Sequence, residues 1–174
     1  MPTITEHLNW HWKGWRHARL ARAVLDTPPL VARDDGVVLF SMVGTRALLP
    51  YLVAVKSLHR HLARGRVIVL DDGTLTAADH AQLRYHCGDP EILRLDAVDT
   101  GACPQGGTWE RLLTILDRRA DDYVIQLDSD TVTFGPLPDV AAAIDAGRSF
   151  SLRGEADAAL MPVAAFVASL PVET

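Results

Sequence analysis

From residue 36 onward, unbroken apolar runs alternate with amphipathic stretches. Val37-Val38-Leu39-Phe40 and Val67-Ile68-Val69-Leu70 carry no polar residue, the pattern of strands buried on both faces. Ile92 to Leu95 reads as a third strand, and Tyr123 to Leu127 as a fourth. Between them, Leu52, Val55, Leu58 and Leu62 recur at three- and four-residue spacing and predict a helix over 48–62. Thr76 with Asp79 resembles a capping box, which opens a helix running to about Tyr85. Leu112, Leu113, Ile115 and Leu116 predict a helix over 109–119, and 139–146 predicts a short one. Phe150-Ser151-Leu152 is expected to form a fifth strand. Strands that alternate with helices imply an α/β fold with a mostly parallel sheet covered on both faces.

The ends of the chain follow other patterns. Trp10 to Arg16 is an aromatic-basic cluster, and 15–25 reads as a helix with Arg16, Arg19 and Arg22 on one face, stopped by Pro28 and Pro29. One reading lays this segment on a membrane surface, indoles at the interface and arginines on phosphates. The other docks it on the domain by its tryptophans. Ala158 to Leu170 is the most apolar stretch, but Pro162 breaks it and it is too short to span a bilayer. The expected divisions are an N-terminal helical extension (1–35), an α/β domain (36–155) and an apolar C-terminal tail (156–174).

Composition narrows the picture. The 174 residues fit one domain, and 48% hydrophobic content marks a globular chain. A net charge of -5 argues against nucleic-acid binding. Lys13 and Lys56 are the only lysines. Cys87 and Cys103 have no metal-ligand spacing and read as reduced thiols of a cytoplasmic protein, peripheral at the inner membrane surface if the tryptophan segment makes that contact. His59, His61, His80 and His86 fall on predicted helices and read as surface residues, while Trp109 and Tyr123 read as core.

In parallel sheets, ligands bind beyond the carboxyl ends of the strands. That rule selects Ser41 to Thr45, Asp71-Asp72-Gly73 and Asp128-Ser129-Asp130. Two carboxylates spaced i and i+2 at a strand end can converge on one hard cation such as magnesium or manganese. A cation there would reverse the repulsion between carboxylates and a pyrophosphate. The plain alternative is an acidic turn facing solvent. Gly101 to Gly107 contains no Walker signature and reads as a loop near the site.

Tyr123 to Pro138, with its apolar strand, Asp128-Ser129-Asp130 and Pro-Leu-Pro turn, resembles the DxD region of GT-A fold glycosyltransferases of the family-8 type. Trp109-Glu110-Arg111-Leu112 and Val67 to Thr74 sit where that group has a helix with an Arg-Leu pair and a second strand with an acidic turn. The resemblance implies a Rossmann-like GT-A three-layer α/β/α fold and sugar transfer, hexosyltransferase in type, from a UDP- or GDP-sugar to an unknown acceptor. It implies that Asp128 and Asp130 bind Mn2+ or Mg2+, with Asp128 and Ser129 at the donor. Asp71 or Asp72 would sit near base or ribose, Ser41, Val43 and Gly44 would line the nucleotide pocket, and Arg111 would approach the phosphates or sugar. The chain departs from the family in two ways. All seven histidines lie at or before His86, so none follows the DxD, and only 44 residues follow Asp130. The fold is therefore expected to be incomplete at the C-terminus, a donor-binding half.

Two other classes remain. Haloacid-dehalogenase-type phosphatases also use an apolar strand ending in Asp-x-Asp, but they need a later lysine, and none follows Lys56. A non-catalytic nucleotide-binding or partner-recognition domain is the other.

Overall fold

A computed structural model describes Arg16 and residues 19–151. The aromatic-basic cluster apart from Arg16, and the C-terminal tail, thus lie outside the described residues. Four strands, β1 (Val37–Val43), β2 (Arg66–Asp71), β3 (Glu91–Arg94) and β4 (Tyr123–Gln126), form one sheet in the order β3-β2-β1-β4. All three pairings are parallel. The helices are α1 (Leu48–Leu62), α2 (Ala77–His86), α3 (Thr108–Arg118) and α4 (Pro138–Asp145). The result is α/β with a parallel sheet flanked by helices, consistent with a Rossmann-like fold.

Alternation along the strands builds two cores from one apolar run. Val37, Leu39 and Val43 face one side with Val67 and Val69 and meet Tyr51, Leu52, Val55 and Leu58 of α1, together with Leu83 of α2 and Val140 and Ile144 of α4. Val38, Phe40, Ile68 and Leu70 face the other side and meet Ile115 of α3. Val24 and Leu30, from the segment before the sheet, join the first core. Lys56 holds that segment in place. Its Nζ donates to Thr27 Oγ1 (2.7 Å) and the Pro28 carbonyl (2.8 Å), and lies 2.9 Å from His86 Nδ1.

The capping box of α2 forms as expected, with Thr76 and Asp79 bonded reciprocally. Three expectations need correction. Phe150 and Ser151 form no strand, and Leu152 lies outside the described residues. The chain at Arg148 is instead held by a side chain, since the Tyr123 hydroxyl donates to its carbonyl at 2.6 Å. His86 is not a surface residue but is 3% exposed, packed beneath Lys56. Trp109 is not core, being 39% exposed on the outer side of α3.

Candidate functional site

The chain adds β2 and β3 on one side of β1, then crosses to add β4 on the other. The crevice between the carboxyl ends of β1 and β4 is therefore the point where strand order reverses, where open α/β sheets take ligands. A cleft of about 260 Å³ occupies it, lined by Met42 at the end of β1, by Arg111 of α3, and by Asp128, Ser129 and Asp130 beyond β4.

Local bonds fix that lining. Leu127 N–H donates to the Phe40 carbonyl at 2.9 Å, which keeps β4 in register to its last residue. Ser41, 1% exposed, donates its hydroxyl to the Leu127 carbonyl at 2.7 Å and clamps the start of the acidic triplet to β1. Thr131 Oγ1 then donates to the Asp128 carbonyl at 3.0 Å and folds the chain back. Asp128 and Asp130 are both exposed. Among the described residues neither carboxylate has a hydrogen bond or ion pair, and neither does the Arg111 guanidinium. Two unpaired anions and one unpaired cation thus share one crevice. Two hard oxygens fit a magnesium or manganese ion that keeps water and substrate oxygens on its other positions. No group of three or more His, Cys, Asp or Glu able to hold a metal occurs among the described residues.

A second cleft, of about 530 Å³, opens over the ends of β2 and β3. Asp71, Asp72, Asp96 and Glu110 line it, beside His80, Arg94 and Gln105. Gly107 precedes α3 with a φ of +96°, a conformation that favours glycine, and a Cβ there would lie 3.3 Å from Met42 Cε. Glu110, 4% exposed, accepts from the N–H groups of Gly106 (3.0 Å) and Gly107 (2.7 Å). The Gly106 bond leads in holding its carboxyl below the usual range. Glu110 and Arg111, consecutive on α3, line one cleft each.

The structure brings Arg111, Asp128, Ser129 and Asp130 together, and it places Asp71 and Asp72 in the second cleft. It does not bring Ser41, Val43 or Gly44 to either cleft. Period 2 turns Ser41 and Val43 toward α1, and Gly44 packs under Asp72, whose Oδ2 lies 2.1 Å from where a Cβ would be. Met42, between them, is the β1 residue that reaches the first cleft. Sequence reasoning held Met42 within the Ser41 to Thr45 stretch and Gln105 within the loop over 101–107 without singling out either, and it missed His80 and Arg94. Alternation could have found Met42, which shares the face of Val38 and Phe40. His80 is placed by α2 and its contact with Asp71, Arg94 ends β3, and only Gln105 depends on the loop before α3.

Both cysteines are free. Burial pushes the Cys87 thiol up to about 12, so it is held as an inert thiol. No helix among the described residues is long and apolar enough to cross a membrane. Comparison with protein-family models, with curated proteins and with solved structures finds no match.

Proposed function

We propose that the first cleft binds the diphosphate of a nucleotide-sugar through a divalent cation, and that the chain is the donor-binding part of a GT-A-type glycosyltransferase. The observation that carries this reading is the set of unpaired charges on Asp128, Asp130 and Arg111 at the crevice between β1 and β4. Unpaired charges of both signs in one crevice suit a ligand that is itself an anion with a cation attached. Asp128 and Asp130 would hold Mn2+ or Mg2+, which stabilises the charge that develops on a leaving diphosphate. Arg111 supplies a counter-charge to the phosphates from the opposite wall. Ser129 stands between the two carboxylates and lines the same cleft.

The phosphatase alternative loses support from Lys56, whose ammonium is engaged by Thr27, Pro28 and His86 away from the triplet. A module that binds donor without transferring it is the remaining alternative, and one experiment separates the two. Thermal unfolding is followed with UDP- and GDP-sugars, with and without manganese. At a hundredfold excess over Kd, binding adds about 2.7 kcal/mol, and the expected rise is about 5–10 °C. That rise should require manganese and vanish in Asp128→Ala. No shift with any nucleotide would reject the proposal. Release of free sugar from the bound donor would mark an enzyme, and its absence a binding module.

A further inference from the structure

Helix α3 carries an apolar stripe that lies outside both cores. Trp109, Leu112 and Leu116 stand at i, i+3 and i+7, one side of a helix, and all three are exposed. Half-buried Leu113 lies beside them, and none of the four belongs to either core. The polar residues Glu110 and Thr114 take the inward side instead. An ion pair sets the direction of the stripe. Arg118 bonds Glu91 of β3 and turns that side of α3 toward the β3 edge of the sheet. Trp109 precedes Arg118 by two and a half turns, about 180° around the helix, so the stripe faces the opposite edge, that of β4. No strand pairs with the outer side of β4 among the described residues.

The chain leaves the described domain at this same edge. Tyr123, the first residue of β4, donates its hydroxyl to the Arg148 carbonyl, and exposed Phe150 follows. The sequence then continues through 158–170, which carries no charge. Within it Val163, Phe166, Val167 and Leu170 recur at i, i+3, i+4 and i+7, between Pro162 and Pro171. That spacing puts four apolar side chains on one side of a short helix and leaves small residues such as Ala165 and Ala168 on the other. Proline at 162 suits the first position of such a helix. From Ser151 to Pro162 the extended chain reaches about 35 Å, and α3 is about 16 Å long. A second copy is the poorer occupant, because three partly exposed side chains supply far less than the roughly 800 Å² that each partner of a stable interface buries. A tethered segment needs less area, since its effective concentration is millimolar. The N-terminal segment joins from the other side: Val24 and Leu30 pack on the α1 face, with the sheet between them and α3.

We infer that the apolar stripe of α3 is the docking surface for residues 163–170 of the same chain, which lay their apolar side on Trp109, Leu112 and Leu116. The inference is independent of what the first cleft binds. Its test is thiol labelling of the full chain in a Cys103→Ser background, where the one remaining native thiol, Cys87, is buried. Val167→Cys, on the docked side, should label roughly tenfold more slowly than the same protein in urea, the factor expected for burying one aliphatic side chain. Ala165→Cys, on the opposite side, should stay within about twofold of its rate in urea. Adding Leu112→Asp places a charge on the stripe at an exposed position and should return Val167→Cys to its rate in urea. Trp109→Asp provides the same readout if Leu112→Asp fails to fold. The protection should be unchanged on dilution, because the contact is intramolecular. Free labelling of Val167→Cys, or protection that survives both charged variants, overturns the inference. Protection that disappears on dilution would give the stripe to a second copy. Protection of Leu116→Cys while Val167→Cys labels freely would give it to another segment, and either result rejects the docking of 163–170.

Discussion

At the scale of single residues, the same side-chain type is free in one cleft and committed in the other, and the difference lies in the backbone around it. Asp128 and Asp130 follow a strand whose last backbone bonds are complete, so nothing nearby claims their oxygens. Asp71 and Asp72 open a tight turn whose N–H groups need acceptors, and they provide them. A sequence shows Asp at both strand ends and cannot show which backbone amides are unmet. Gly44 records the same closeness from the other side, since any Cβ there would strike the Asp72 carboxylate. We therefore expect Gly44→Ala to rotate Asp72 off Thr74 and to destabilise the fold by about 1 kcal/mol. Asp72→Ala alone should also cost about 1 kcal/mol, through loss of the turn bonds. If the two residues act as a pair, the double variant should be less destabilised than the sum of the singles, by at least about 0.5 kcal/mol. Urea unfolding of the four proteins measures this coupling, and strict additivity would show that the carboxylate does not rest on Gly44.

At the scale of elements, legibility follows burial. Strands β1 and β2 and helix α1 were readable because their apolar patterns are dictated by a two-sided core, and the helix over 48–62 has the expected bounds. Helix α3 was located but its orientation was not. Leu112, Leu113, Ile115 and Leu116 marked the helix without fixing which of them face inward. In the structure Glu110 and Thr114 are buried, while Leu112 and Leu116 are each 42% exposed alongside Trp109. The helix is turned by its N-terminus. Glu110 must face inward to accept from Gly106 and Gly107, and a residue four positions later on the same side is Thr114, whose hydroxyl donates to the Glu110 carbonyl at 2.7 Å. Only Ile115 of the apolar four packs with the second core. Ile115→Ala should then cost about 2 kcal/mol and Leu116→Ala less than about 1 kcal/mol, a ranking that hydrophobicity alone does not provide. Chemical denaturation decides it, and equal losses would place the apolar stripe inward.

At the scale of the whole molecule, three parts of the chain meet at Lys56: the segment at Thr27 and Pro28, helix α1, and the end of α2 at His86. His86 also accepts from the Leu30 N–H through its carbonyl at 3.1 Å. Burial lowers the pKa of the His86 ring, and the Lys56 ammonium beside it lowers it further. His59, on α1, is lowered in the same direction by burial and by Arg33. The unfolded chain therefore takes protons on these rings before the folded chain does. Stability should be at its plateau above the ordinary histidine value of 6.5 and should fall as pH drops through it, until the folded rings also protonate. Glu110 is depressed by the Gly106 and Gly107 N–H groups, and Asp96 chiefly by Arg94, so their contributions persist through that window and are lost only below the ordinary carboxylate range. Two acid steps are expected, the first from histidine and the second from carboxylates. Unfolding midpoints in urea at pH 8, 6 and 5 resolve the first step, which should shrink in His86→Asn because that side chain keeps an acceptor for Lys56 but does not titrate. A first step of unchanged size in His86→Asn would assign it to other groups, and a rise in stability between pH 8 and 5 would mean that the ring is charged where it meets Lys56.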